Sequence, residues 1–271
     1  FDGAWRQVAD LQQTFPGMVP VYSDVRQEAP RRLVDELGLD RLPAYVFPPE
    51  VERAALFEEV RSLFVLRGGL LLVDPARTGA PLFHRRPAEP GRLDVFLSLR
   101  QQGILSVFFE FLSAASGGPD LPRPEKGEDG VWGHPVGPCR VVVHPLVFVE
   151  PNGELSTLGG LPELQDAARF AAVRSRSPER ALPYLRALLA NEGNTYWEDA
   201  VRTAGEDPEA VKDLARSAEV EASLRAEASF ASGLSIEQPI ACVAANRERV
   251  SVRDRRDVLE LMERLASRET S

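Results

Sequence analysis

Two stretches of the chain pass from a predicted helix through a proline directly into a predicted strand. They are DRLPAYVF, residues 40–47, and SIEQPIACVAA, residues 235–245. A peptide bond before proline is the one kind that adopts the cis form at appreciable frequency. Because the pattern occurs once in each half, around Leu42-Pro43 and Gln238-Pro239, the sequence predicts an α/β fold built from two modules of related design.

Residues 1–90 carry the pattern of the first module. Helices are predicted up to Phe15, over residues 29–38 with Gly38 as the cap, and over residues 56–64. Strands are predicted at residues 19–25, 44–47 and 70–73. The elements follow in the order helix, strand, helix, proline, strand. A complete module of this kind would begin with one more strand, which we expect to precede Phe1.

Residues 75–91 are rich in proline and glycine, and they predict a linker with the domain boundary near Pro90-Gly91. A second module, residues 91–271, then begins with a strand at 93–97 and an apolar helix at 104–115. A long loop is predicted at 116–138, a buried strand at 141–149, and helices throughout about 161–233. Strands at 240–245 and 250–252 and a last amphipathic helix around Leu261 complete the pattern.

Composition excludes several functions. The chain has 41 acidic and 32 basic residues and a net charge of −9, so no nucleic-acid partner is predicted. No run of 18 or more apolar residues occurs, and no membrane span is predicted. The chain starts at Phe1, and any signal peptide or lipid anchor is expected upstream of it.

The residues that usually carry chemistry are few. Cys139 and Cys242 are the only cysteines, and neither forms a CxxC motif. His84, His134 and His144 have no metal-ligand spacing, so no metal site is predicted. No phosphate-binding glycine motif or nucleophile elbow occurs, and no cofactor is predicted.

Several segments together resemble a known family, because they follow one another in the family's order. LDVFLSLRQQGILSVFFEFL resembles the strand and helix that carry a cysteine motif in DsbA-like thiol oxidoreductases, especially in bacterial relatives of the gamma-interferon-inducible lysosomal thiol reductase. STLGGLPELQDAARFAA matches an HG-x-x-E pattern and a later arginine at Gly160, Glu163 and Arg169, with Gly159 in place of the histidine. SIEQPIACVAANRE resembles the cis-proline strand, and residues 15–47 resemble a thioredoxin-like module.

This resemblance implies tandem thioredoxin-like domains, residues 1–90 and 91–271, the second with an all-helical insertion at about 161–233. The departure from the family is chemical. The family's two active-site cysteines correspond to Gln101 and Ile104. Thiol–disulfide exchange needs a thiolate nucleophile and a leaving thiol, and neither an amide nor a hydrocarbon provides them. A redox-inactive protein is therefore predicted.

The predicted function is a non-catalytic adaptor or structural subunit of a larger, membrane-associated protein complex in the bacterial periplasm, with other protein subunits as hetero-oligomeric partners. The location follows from the resemblance. The predicted partner-binding residues are Leu42 and Pro43, Gln238 and Pro239, and Trp132. The alternative class is an enzyme of thioredoxin fold, either an oxidoreductase or isomerase using Cys242 or a glutathione-dependent transferase. A third hypothesis is a chaperone-like peptide binder.

Two local predictions remain. Trp132 and His134 lie in the glycine- and proline-rich segment EDGVWGHPVGPC, which is interpreted either as a loop packed on its own domain or as a partner-anchoring loop. In a thioredoxin sheet the second and third strands flank the first. Cys139 and Cys242 belong to the second and third strands, so they would be about 9–10 Å apart. This is too far for a disulfide, and both are predicted to be unpaired.

Overall fold

The computed structural model describes residues 2–74, 78–116, 121–137, 139–190, 196–250, 256–257 and 260–261. The chain divides into two compact units, residues 1–87 and 88–271, and the division falls inside the predicted linker. No helix in the described ranges is both long and apolar enough to cross a bilayer.

The first unit combines short strands with three α-helices in its described part. The helices are α1 (Asp2–Thr14), α2 (Glu28–Glu36) and α3 (Phe57–Val60), and the strands are β1 (Arg41–Leu42), β2 (Val46–Phe47), β3 (Phe64–Arg67), β4 (Leu70–Val73) and β5 (Leu82–Phe83). Strand β4 lies between β2 and β3, antiparallel to both, and β1 pairs with β5. Two small apolar clusters pack against this sheet, one around Phe15, Phe47 and Phe57 and one around Leu39 and Leu72.

Helix α2 is followed by Leu37 and then by the predicted glycine cap Gly38, which has φ of +65°. The Leu42–Pro43 bond is cis, also as predicted. Two predictions in this unit are wrong. Residues 19–25 pair with no strand, and Val19 is 81% exposed. The helix predicted over residues 56–64 ends early, because Phe64 starts β3 opposite Val73 and packs edge-on against Phe47.

The second unit is built on one mixed sheet. Its strands are β6 (Arg92–Leu97), β7 (Glu125–Lys126), β8 (Trp132–Val136), β9 (Cys139–Pro145), β12 (Ile240–Ala244) and β13 (Glu248–Val250), beside a small separate pair, β10 (Phe148–Val149) and β11 (Leu155–Ser156). The order in the sheet is β13-β12-β6-β9-β8-β7. Strand β6 runs parallel to β9 and antiparallel to β12, so the predicted flanking of the first strand by the second and third is confirmed.

Helices cover both faces of this sheet. The described helices are α4 (Gln102–Ser116), α5 (Gly160–Arg176), α6 (Ala181–Ala190), α7 (Trp197–Thr203), α8 (Pro208–Ala215) and α9 (Ala218–Gly233). As the apolar sequence predicted, α4 is buried on several sides, through Leu105, Phe108, Phe111 and Leu112. These side chains join the inward residues of β6, β9 and β12 in one large core. Helices α5 to α9 all lie between β11 and β12 along the chain.

Two further predictions are corrected in this unit. The segment predicted as a loop, residues 116–138, contains β7 and β8, because His134 and Val136 pair in register with Val141 and Cys139 of β9. The Gln238–Pro239 bond is not cis. The chain leaves α9 through Ser235, at φ of +49°, and the carbonyl of Pro239 accepts a hydrogen bond from the backbone of Ser98. The predicted last helix lies largely outside the described residues, of which 256, 257, 260 and 261 are helical.

Candidate functional site

The start of α4 is the position where the resemblance places a reactive thiol. Gln101 immediately precedes the helix and is exposed, and its carbonyl accepts the backbone N–H of Ile104 at 2.9 Å and of Leu105 at 3.1 Å. Ile104, one turn further, is half-buried. The helix therefore begins where a nucleophile would be activated, but the side chains present there have no nucleophilic group.

A buried glutamate fixes the approach to this helix. Glu163, near the start of α5, is 1% exposed and accepts the hydroxyl of Ser98 at 2.5 Å. It also accepts the backbone N–H of Arg100 at 3.3 Å and of Gly159 at 2.6 Å. The matched residue of the HG-x-x-E pattern thus holds the end of β6 against the start of α5, which is a structural role.

The other matched residue, Arg169, belongs to a second contact at the same place. It donates to Asp166 at 2.8 Å, and Asp166 also accepts from Arg100 at 2.7 Å. The guanidinium of Arg169 lies 4.4 Å from the ring centroid of Trp197, a cation–π distance. Asp166 thus bridges Arg169 and Arg100 by hydrogen bonds, and the contact to Arg100 positions the backbone that precedes α4.

Neither cysteine is placed for thiol chemistry. Cys139 and Cys242 form no disulfide, as predicted, and both are buried. They lie on β9 and β12, which are separated by β6. Burial raises the pKa of Cys242 to about 12, and the negative charge of Asp94 contributes to this rise. A thiol with such a pKa is almost entirely protonated at neutral pH, so it is a poor nucleophile.

The predicted partner-binding residues occupy separate places. The hydrogen bond from Ser98 to Pro239, 2.8 Å long, brings Pro239 and the exposed Gln238 to the end of β6 from which α4 starts. Leu42 and Pro43 belong to the first unit and are half-buried. Trp132 is on β8, on the far side of β9 from β6, and is 42% exposed.

The sheet of the second unit also carries a buried network of charges that the sequence analysis missed. Arg92 and Asp94 of β6 point to the same face of the sheet, opposite the core residues Leu93, Val95 and Leu97. The guanidinium of Arg92 lies 2.7 Å from a carboxylate oxygen of Asp94. Asp94 is fully buried and contacts His144 Nε2 at 2.8 Å. Arg92 also pairs with Glu89 at 2.6 Å and with Asp129 at 2.9 Å.

His144 is the centre of this network. Its Nδ1 lies 2.6 Å from Glu227 on α9, so each ring nitrogen faces a carboxylate. Since an ionised carboxylate only accepts hydrogen bonds, both nitrogens must donate, and the imidazole is held in its charged form. The ring also stacks on Phe96 with 4.7 Å between ring centroids.

The pKa values agree with this protonation state. Burial alone lowers the pKa of His144, but the attraction of Glu227 and the hydrogen bond to Asp94 outweigh it and raise the pKa to about 8. Burial opposes the ionisation of Glu227, but His144 and Arg174 overcome this and lower its pKa to about 2. Arg174 donates to Glu227 at 2.6 Å and to the carbonyl of Val143 at 3.0 Å.

A cavity of about 480 Å³ opens beside the network, within the range usual for small-molecule sites. Its lining comes from β6, β8, β9, α5, α9 and the turn before β8, and includes Arg92, Trp132, His144, Arg174, Glu227 and Phe230. The part of the chain that the structure describes holds no group of three or more His, Cys, Asp or Glu side chains arranged to bind a metal ion. Each charged residue at the cavity is instead paired with a residue of opposite charge.

One signal in the sequence does point to this network. The strand RLDVFL is buried at all six positions, yet two of them are charged. Charged side chains in a buried strand require charged or hydrogen-bonding partners. That rule predicts that Arg92 and Asp94 have partners. It does not identify those partners, because His144 is 50 residues from Asp94 in the sequence and Glu227 is 83 residues from His144.

No protein-family model and no curated protein sequence matches the chain. Solved structures do resemble it. ScsC from Proteus mirabilis is 15% identical, with 98% of this chain and 97% of that one covered, at a TM-score of 0.46. The oxidoreductase DsbA from Xylella fastidiosa is 16% identical, covers 68% of this chain and 91% of its own, and has a TM-score of 0.43.

The thiol-disulfide exchange protein alpha-DsbA2 from Wolbachia pipientis is 11% identical over 67% of this chain and 86% of its own, with a TM-score of 0.46. These solved structures include DsbA-like thiol-disulfide oxidoreductases, and the chain itself has a mixed α/β fold. It has only two cysteines, and they form no disulfide with each other.

Proposed function

We propose that this protein is redox-inactive and works by binding other proteins, as a non-catalytic adaptor or structural subunit of a hetero-oligomeric assembly. The observation that carries the proposal is the chemistry at the start of α4, where Gln101 and Ile104 occupy the positions of a reactive thiol and a resolving thiol. The remaining two thiols are buried, and the raised pKa of Cys242 disfavours its reaction further.

The binding surface that we propose includes the end of β6. Gln101 and Gln238 are exposed there, and Pro239 is held beside them through its hydrogen bond to Ser98. In a thiol oxidoreductase this region receives an extended peptide beside the reactive sulfur. Without the sulfur, the exposed amide side chains of Gln101 and Gln238 still offer hydrogen-bonding groups to a partner segment. We include Leu42, Pro43 and Trp132 as further contact residues.

The finer architecture and the location belong to the same proposal. We interpret the two compact units as tandem thioredoxin-like domains, with α5 to α9 as an all-helical insertion in the second. We place the protein outside the cytoplasm, in a bacterial periplasm and near a membrane-associated complex. Resemblance to DsbA-like proteins supports this location.

A thiol titration tests the redox part. In native protein at pH 8, an aromatic disulfide reagent should react with neither cysteine within an hour, and both should react at once in denaturant. The protein should also fail to accelerate insulin reduction by dithiothreitol, with an active DsbA-like enzyme as the positive control. A fast-reacting Cys242, lost in Cys242→Ala, would instead support the single-cysteine oxidoreductase hypothesis.

Isolation from native membranes under mild detergent tests the adaptor part. The proposal predicts a stable complex of fixed stoichiometry, which Gln238→Arg weakens and Glu219→Arg, at an exposed position of α9, leaves intact. A free monomer in every preparation would contradict the proposal. Weak binding to many unfolded proteins without fixed stoichiometry would support the chaperone-like hypothesis instead.

A further inference from the structure

The cavity beside His144 has a wall of apolar and small side chains. Trp132 stands at its mouth, 42% exposed, and Phe230 of α9 lines its interior. Val142 and Ala171 add buried apolar surface, and Ser223 on α9 is small enough to leave the space open. An aromatic or aliphatic body of moderate size would be removed from water here, against two aromatic rings.

The charges nearest to this space are mainly positive. Of the charged residues that line it, Arg92, His144 and Arg174 are cations, and Glu227 is the one carboxylate. The other carboxylates of the network are Glu89, Asp94 and Asp129, which do not line the cavity. With Arg140, which pairs with Asp129 at 2.7 Å, the network holds four cations and four carboxylates among the described residues. Three of the cations line the cavity but only one of the carboxylates does, so an anionic group inside the cavity faces mainly cations.

Arg174 also has unused hydrogen-bonding capacity. A guanidinium has five N–H donors. Within the described residues, Arg174 uses one for Val143 and one for Glu227, which leaves three. Ser223, on the opposite helix, has no hydrogen-bond partner for its hydroxyl among the described residues. These donors are placed to receive one acceptor group of a ligand, and charged acceptors bind a guanidinium most strongly.

We propose that this cavity is a binding site for a small amphipathic anion, a molecule with an aromatic or aliphatic body and one carboxylate or sulfonate group. The body packs between Trp132 and Phe230, and the anionic group accepts hydrogen bonds from Arg174 and Ser223. This site shares Trp132 with the proposed partner contacts but none of the residues at the end of β6, so binding of a small anion can be tested independently of the adaptor function.

Two fluorescent probes of the same shape test the site. Anilinonaphthalene sulfonate carries the anionic group, and N-phenylnaphthylamine has the same rings without it. The full-length protein, titrated at pH 6.5, should bind the sulfonate at one saturable site, at least tenfold more tightly than the neutral probe. Ser223→Trp, which fills the cavity, should weaken sulfonate binding at least tenfold. Ala222→Trp, on the solvent side of the same helix, should leave it unchanged.

Arg174→Gln should bring the two affinities within about threefold of each other, because the anionic group loses its partner. Near-UV circular dichroism checks that each variant is folded, and Ala226→Phe at the mouth of the cavity replaces Ser223→Trp if the latter does not fold. Equal affinity of the two probes for the wild-type protein would overturn the proposal. Sulfonate binding that neither cavity-filling variant reduces would overturn it as well.

Discussion

At the scale of single residues, the surroundings of His144 fix both its position and its protonation state. It is buried between two carboxylates and stacked on Phe96, with Phe230 edge-on at 5.2 Å between ring centroids. A neutral imidazole has one donor nitrogen and would leave one carboxylate without its hydrogen bond. The fold therefore depends on the proton that His144 carries.

The first prediction follows from this proton. The pKa of His144 is raised to about 8 from an ordinary 6.5, so its contribution to stability is complete below pH 6.5 and is lost as pH rises through 8. The free energy of unfolding should fall by about 2 kcal/mol between pH 6 and pH 9. Urea denaturation at a series of pH values measures this. A flat profile over that range would contradict the assignment.

Two histidine variants separate this effect from general pH dependence. His144→Gln should remove the loss above pH 6.5 and lower stability by about 3 kcal/mol at pH 6, because it leaves buried carboxylates without their charged partner. His134→Gln is the matched control. Burial lowers the pKa of His134, so this residue affects the free energy of unfolding as pH falls rather than as it rises. His134→Gln should therefore still lose stability between pH 6 and pH 9.

At the scale of elements, the end of β6 is attached to the start of α5 by one carboxylate. Glu163 accepts three hydrogen bonds there, from Ser98, Arg100 and Gly159. Glu163→Ala would leave the buried hydroxyl of Ser98 and the part-buried backbone N–H groups of Arg100 and Gly159 without an acceptor. We expect a loss of about 3 kcal/mol in the free energy of unfolding, measured by urea denaturation. Glu154→Ala, at an exposed turn, should change it by less than about 0.5 kcal/mol.

The start of α4 keeps the geometry that thiol chemistry needs. Residues one helical turn apart have Cα atoms about 5 Å apart, within the range of a disulfide. Gln101→Cys combined with Ile104→Cys should therefore form an intramolecular disulfide, and the thiol at position 101 should have a pKa below the ordinary 8.5 because of the helix N-terminus. The rate of alkylation against pH measures this pKa.

The control for that variant is a pair of exposed positions in the middle of a helix. Ala222→Cys with Arg225→Cys on α9 has the same spacing but no helix N-terminus beside it. Its thiols should titrate near 8.5. If the thiols of both pairs titrate alike, the start of α4 does not provide the environment of a reactive thiol.

At the scale of the whole molecule, each unit has a core of its own. The large cluster of buried side chains that includes Phe108 and Phe170 lies entirely within residues 88–271, and the clusters around Phe57 and Leu72 lie within residues 1–87. We expect a fragment of residues 88–271 to fold by itself, since it contains the six strands β13-β12-β6-β9-β8-β7 and the whole of the large core. Cooperative urea unfolding and native near-UV circular dichroism would establish this. A fragment without a cooperative transition would contradict it.

Local sequence patterns predicted the elements that depend on short-range chemistry. The apolar helix at Phe108 and the glycine cap at Gly38 follow from periodicity and backbone freedom. The proline pattern agreed with a cis bond at Pro43 but not at Pro239. Patterns failed where pairing partners decide. Residues 19–25 have the composition of a strand but pair with no other strand among the described residues. Trp132–Val136, in contrast, was predicted as a loop and pairs with β9.

The candidate sites divide in the same way. Gln101 and Ile104 were recognised from sequence, because the absence of a thiol is a property of residue type alone. By itself, the sequence determined that disulfide exchange lacks its usual pair of sulfurs. Only the tertiary structure decided that Asp94, His144, Glu227 and Arg174 meet beside a cavity, because contacts between distant residues are set by how the helices pack on the sheet.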